Sequence, residues 1–240
     1  VYAGIFIFPF MPDMLNLLFM IFMVAVYVYK SLFKKTQPLT KQPIDMPIVF
    51  YIIIIIISTI TSIDPTGSFR DLAIHLTSIG FVFVIVKTKK DFNILVVFLV
   101  ISATLVAIYG FYQFKVGVEL EDKWVDAVNN PDVKTRIYSV FGNPNIFAEY
   151  LIMIIPISLS LFWFSKKIHK KAIFLITSLI LILALVLTLS RGGWIGFAFG
   201  MFVFVLLIEK RLLLSIIPLG LGAIYFLPQT ILNRIASIVN

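Results

Sequence analysis

The stretch Ala172-Ile173-Phe174-Leu175-Ile176-Thr177-Ser178-Leu179-Ile180-Leu181-Ile182-Leu183-Ala184-Leu185-Val186-Leu187-Thr188-Leu189 runs for 18 residues without a charge. At 1.5 Å per residue it covers about 27 Å as a helix, close to the roughly 30 Å of a bilayer's hydrocarbon core. Strands of a membrane barrel alternate apolar with polar residues, whereas this run is apolar all round. Comparable runs at 14–29, 47–63, 72–86, 92–114, 146–164, 194–208 and 212–227 complete about eight expected transmembrane helices. The fold class expected is therefore an all-α integral membrane protein, a polytopic helical bundle forming a single membrane domain over residues 1–240. Composition agrees: 60% of the 240 residues are hydrophobic, 15% aromatic and only 13% charged, more apolar surface than a soluble domain of this size can bury.

The formal net charge of +8 is not spread as a nucleic-acid-binding surface would be, and no nucleic-acid partner is expected. Thirteen of the 20 basic residues fall at 30–41, 87–90, 166–171 and 210–211, each cluster following an apolar run, with only Asp45, Asp91 and Glu209 beside them. Seven basic and nine acidic residues lie elsewhere. By the positive-inside rule the four basic loops are cytoplasmic. The alternation then puts a turn at Asp64-Pro65-Thr66-Gly67-Ser68, the polar loop 115–145 and the segment from Gln229 on the outer side. With no cysteine, disulfides and thiolate metal sites are excluded. The chain opens at Val1 on an apolar stretch too short to span, and ends in an incomplete polar segment, so we expect an internal fragment of a longer polytopic protein.

Outward from the opening stretch, the next residues are Ser190-Arg191-Gly192-Gly193-Trp194. A guanidinium at the lip of a bilayer is costly unless it faces water, an anion or a partner, so Arg191 is a functional-site candidate. Snorkelling beside the interfacial Trp194 is the plainer alternative. Gly192-Gly193 is expected to reverse the chain through positive φ. Gly192, Gly196 and Gly200, four apart, suggest a seam for a neighbouring helix. Upstream, Phe141-Gly142-Asn143-Pro144-Asn145 closes the outer loop, where Asn145 can cap a helix starting at Ile146 and Glu149 can sit in its first turn, complementing the dipole. That account leaves Arg136 and Asn143 unexplained. His75 lies in an expected span as a hydrogen-bonded bundle residue, and His169 sits solvated among lysines.

The pairing of Thr135-Arg136-Ile137-Tyr138-Ser139-Val140-Phe141-Gly142-Asn143-Pro144-Asn145-Ile146-Phe147-Ala148-Glu149-Tyr150-Leu151 with Leu187-Thr188-Leu189-Ser190-Arg191-Gly192-Gly193-Trp194 resembles the O-antigen ligase and O-antigen polymerase superfamily. That superfamily includes bacterial protein O-oligosaccharyltransferases and a branch described as inorganic-carbon transporters, to which the local likeness is nearest. The resemblance runs from about Asp64 onward. It implies a multi-pass enzyme of the cytoplasmic (inner) membrane with an outward-facing active site. Such an enzyme moves a glycan from an undecaprenyl-diphosphate carrier to the hydroxyl of a glycan, lipid or protein acceptor.

Under that resemblance, Arg191 would stabilise the diphosphate leaving group through bidentate, permanently charged hydrogen bonds, and neither metal nor other cofactor is expected. Arg136 would be a second phosphate ligand or a loop anchor. Ser190, Gly192, Asn143, Asn145 and Glu149 would complete the outer-face substrate site. Members of the superfamily carry a further outer loop with an arginine and, in ligases, a histidine; Arg234 would be its first landmark here. Two other classes compete: a transporter of bicarbonate or another small anion, and a membrane scaffold with no chemistry. A transporter needs a route past the midplane, and His75 with Pro156 and Pro218 are the only features at depth that suggest one.

Overall fold

The computed structural model describes residues 2–34, 43–88, 92–118 and 135–210. Every regular element among them is helical: α1 (Tyr2–Ile7), α2 (Asp13–Leu32), α3 (Asp45–Ile60), α4 (Pro65–Thr88), α5 (Phe92–Val116), α6 (Pro144–Phe164), α7 (Ile168–Leu187) and α8 (Arg191–Ile208), with short 3₁₀ turns at Phe8–Phe10 and Ser139–Phe141. Among the described residues, six helices are long and apolar enough to cross a membrane: α2, α4 (over Pro65–Val86), α5, α6, α7 and α8. The expected count of about eight is not reached among the described residues, on two grounds. Helix α3 stops at 16 residues, about 24 Å, because Thr61 and Ser62 leave the helix before Ile63 is reached. The run 212–227 lies outside the described residues, as does Arg234. Large apolar side chains such as Phe22, Ile54, Met153, Phe199 and Leu207 stand exposed around the spans, as bilayer-facing surface does. The chain is a multi-pass membrane protein.

The chain forms two compact units, Val1–Leu95 and Val96–Asn240. In the first, α4 packs against both α2 and α3. Gly80 lets α4 approach α2, since a Cβ there would stand 3.2 Å from Val24 Cγ2. Phe8, Phe19 and Phe81 form an aromatic cluster with ring centroids 5.3 to 6.2 Å apart, and the Asn16 amide ties the Phe8–Phe10 turn to α2 by donating to Phe8 O at 2.9 Å. The outer turn expected at 64–68 is instead the start of α4. Asp64 accepts from Gly67 N at 3.2 Å and Pro65 occupies the first helical position, where its missing N–H loses nothing.

In the second unit α6 is the central element, packed on α7, α8 and the Ser139–Phe141 turn. Its core joins Val100, Ala103, Val106 and Ala107 of α5 to Phe147, Ala148, Leu151 and Ile155 of α6 and Leu181, Ala184 and Leu185 of α7. Ser158 and Ser178 share a buried hydrogen bond of 2.8 Å between α6 and α7, a satisfied polar pair inside an apolar interface. The expected glycine seam is shifted. A Cβ on Gly193 would stand 2.7 Å from Ala148 Cβ and one on Gly196 3.2 Å from Ile152 Cδ1, whereas Gly192 and Gly200 face open space. Residues three apart, 193 and 196, form the face that meets α6.

Candidate functional site

The site begins where α7 ends. Thr188 closes that helix, with its hydroxyl donating to Leu185 O at 2.7 Å. Leu189 then adopts φ +51°, and its N–H donates to Val186 O at 3.1 Å. Ser190 caps α8, its Oγ accepting from Gly193 N at 3.3 Å. Three residues therefore turn the chain, and the left-handed one is Leu189, not a glycine as expected. Gly192 and Gly193 are already helical: Gly193 is small because Ala148 sits against it, and Gly192 leaves the cavity side open. A leucine in the left-handed region costs on the order of 1–2 kcal/mol, and such strain is often concentrated at functional sites. Trp194 donates from its indole to Leu185 O at 3.2 Å, which pins the start of α8 to the end of α7.

Arg136 reaches the same corner from the other motif. It is only 4% exposed. Its Nε donates to Thr188 O at 2.8 Å and its Nη2 to Asn145 Oδ1 at 3.0 Å, while Ile137 N donates to Leu187 O at 3.3 Å. A guanidinium on the Thr188 carbonyl satisfies an acceptor at the end of α7 that has no partner within the helix and complements the helix's negative end. One side chain thus joins α7, α6 and the segment before the Ser139 turn.

The two asparagines divide the work differently from expectation. Asn143, not Asn145, is the N-cap of α6: its side chain accepts from Asn145 N at 2.8 Å, and Pro144 takes the first helical position. Asn145 spends its side-chain oxygen on Arg136. Gly142 precedes them at φ +66°, a conformation glycine adopts freely. Glu149 is the sixth residue of α6, beyond the first turn in which it was expected.

Arg136, Asn145, Glu149, Ile152, Ser190, Arg191, Gly192 and Gly193 line one cavity of about 510 Å³. Six of the eight sequence-derived site residues therefore meet there. Asn143 supports the cavity as a cap without lining it, and Arg234 lies outside the described residues. Arg191 is the first residue of α8 and half-buried. A cation at the positive end of a helix is unfavourable by itself. With Arg136 nearby, it makes the cavity attractive to an anion.

Sequence reasoning missed Gln113. Buried on α5, it grips the turn before α6: Oε1 accepts from Ser139 N at 2.6 Å and Tyr138 N at 3.3 Å, and Nε2 donates to Ser139 O at 3.0 Å. Ser139 sits at φ +53° with its hydroxyl donating to Val106 O at 2.6 Å. The available signal was one amide near the end of an apolar span, which must find internal partners. His75 is exposed, its Nδ1 2.8 Å from Asp71 O; because a carbonyl only accepts, the ring donates there. His169 is exposed in the first turn of α7. Compared with family models, curated proteins and solved structures, the chain matches none of them.

Proposed function

We propose that this membrane protein is a metal-independent glycan transferase that takes a glycan from an undecaprenyl-diphosphate carrier at the outer face of the cytoplasmic membrane and joins it to an acceptor hydroxyl. One observation carries the reading: residues from two motifs some fifty positions apart, Arg136 and Arg191, line the same cavity together with Asn145, Glu149 and Ser190. In the reaction the bond from the sugar's anomeric carbon to the phosphate oxygen breaks, its electron pair staying on the diphosphate, while the acceptor oxygen bonds to that carbon. Negative charge builds on the leaving group. Arg191, at the mouth of α8, supplies planar paired hydrogen bonds to it. Arg136, held by Thr188 and Asn145, fixes the corner and adds its charge. Such preorganised donors act without reorganising as the charge develops.

The test is turnover by the purified protein in detergent. Lipid-linked glycan is consumed and the carrier released, and a chelator leaves the rate unchanged. Arg191→Ala lowers the rate about 100- to 1,000-fold, and Arg191→Lys restores only part of it. Saturable bicarbonate uptake into proteoliposomes, abolished by Arg191→Ala and unaccompanied by glycan turnover, would establish the anion-transporter reading instead.

A further inference from the structure

Among the described residues, Glu149 is the one carboxylate lining the cavity, and an acid beside a diphosphate site needs a reason. It is exposed, sits beyond the capped first turn of α6, and makes no hydrogen bond or ion pair with another described residue. Arg136 directs its Nε and Nη2 to Thr188 and Asn145, so Glu149 is not the counter-ion that keeps it buried. Nor can a carboxylate help bind the anionic leaving group, because like charges at close range repel. Asn145, Glu149 and Ile152, at spacings of four and three, share one face of α6, which turns the carboxylate toward the same space as Arg191.

We infer that Glu149 is the general base for the acceptor, an assignment that rests on the transferase reading above. The acceptor hydroxyl donates to the Glu149 carboxylate as its oxygen attacks the anomeric carbon. Its proton passes to Glu149, the carbon–oxygen bond to the acceptor forms, and the carbon–oxygen bond to the diphosphate breaks with the electron pair leaving on phosphate. Glu149 returns the proton to solvent through the open mouth of the cavity. The two charges are then matched to two substrates: guanidinium for the donor's leaving group, carboxylate for the acceptor's proton.

The reagents are lipid-linked glycan with glycerol as a surrogate hydroxyl acceptor, and inorganic pyrophosphate as a binding probe. Glu149→Gln is expected to lower kcat about 100-fold or more while binding pyrophosphate as tightly as wild type or tighter, since repulsion is removed. Glu149→Asp recovers part of kcat. A Glu149→Gln protein that turns over at the wild-type rate overturns the assignment. So does one that loses pyrophosphate binding together with kcat, which marks a structural or donor-binding role. Failure of the underlying reading is separately visible: wild type itself then neither binds pyrophosphate nor consumes lipid-linked glycan, and the base role falls with it.

Discussion

Arg136 and Arg191 look equivalent in sequence, yet they occupy opposite physical situations. Arg136 is buried and joined to two acceptors; removing it strands the buried Thr188 carbonyl, at about 1–3 kcal/mol for a group left unsatisfied, and releases the Asn145 oxygen on the cavity wall. Arg191 is half-buried at a helix start whose dipole opposes it. The expected outcome is a double dissociation in detergent-solubilised protein. Arg136→Ala lowers the thermal midpoint and the membrane abundance markedly, whereas Arg191→Ala leaves both near wild type and removes activity. Equal destabilisation by the two substitutions would contradict this division.

Between elements, the crossing of α8 on α6 depends on a single missing side chain. Because a Cβ on Gly193 would stand 2.7 Å from Ala148 Cβ, and both backbones are held by caps at Ser190 and Asn143, neither helix can give way cheaply. Gly193→Ala is expected to cost about 1–3 kcal/mol through overpacking and to shift the Arg191 end of α8. Gly200→Ala, on the same helix with open space at its Cβ, should be neutral or more stable by up to about 1 kcal/mol. Thermal unfolding of the two variants side by side decides the matter, and a harmless Gly193→Ala would remove the close approach as a constraint. Gln113 acts at the same scale, letting α5 hold the left-handed Ser139 turn that leads into α6.

Across the whole molecule, the proposed outward-facing cavity rests on the sidedness that the basic clusters predict. Charged loops resist translocation, so the proposed topology keeps the segments around 30–41 and 166–171 in the cytoplasm. Single cysteines at Asn129 and Ser237 should react with an impermeant thiol reagent in intact cells. Cysteines at Ser31 or Ile168 should react only after permeabilisation. Labelling of the Asn129 position solely from inside would invert the topology and turn the cavity toward the cytoplasm.

Helical character was legible in the residues themselves, because uncharged runs such as 172–189 leave the backbone no partner in lipid except itself. Membership of the cavity was also largely legible: a guanidinium at a membrane lip stands out against apolar neighbours, and six of the eight nominated residues converge. What only the tertiary structure decided is which group answers which. The choice of Asn143 as cap depends on Arg136 claiming Asn145. The turn at Leu189 depends on α8 beginning early enough to bring Gly193 against Ala148. The importance of Gln113 depends on a backbone 26 residues away. Hydropathy and spacing are local properties of a chain, whereas hydrogen-bond partners and helix approach are settled by side chains remote in sequence competing for the same space.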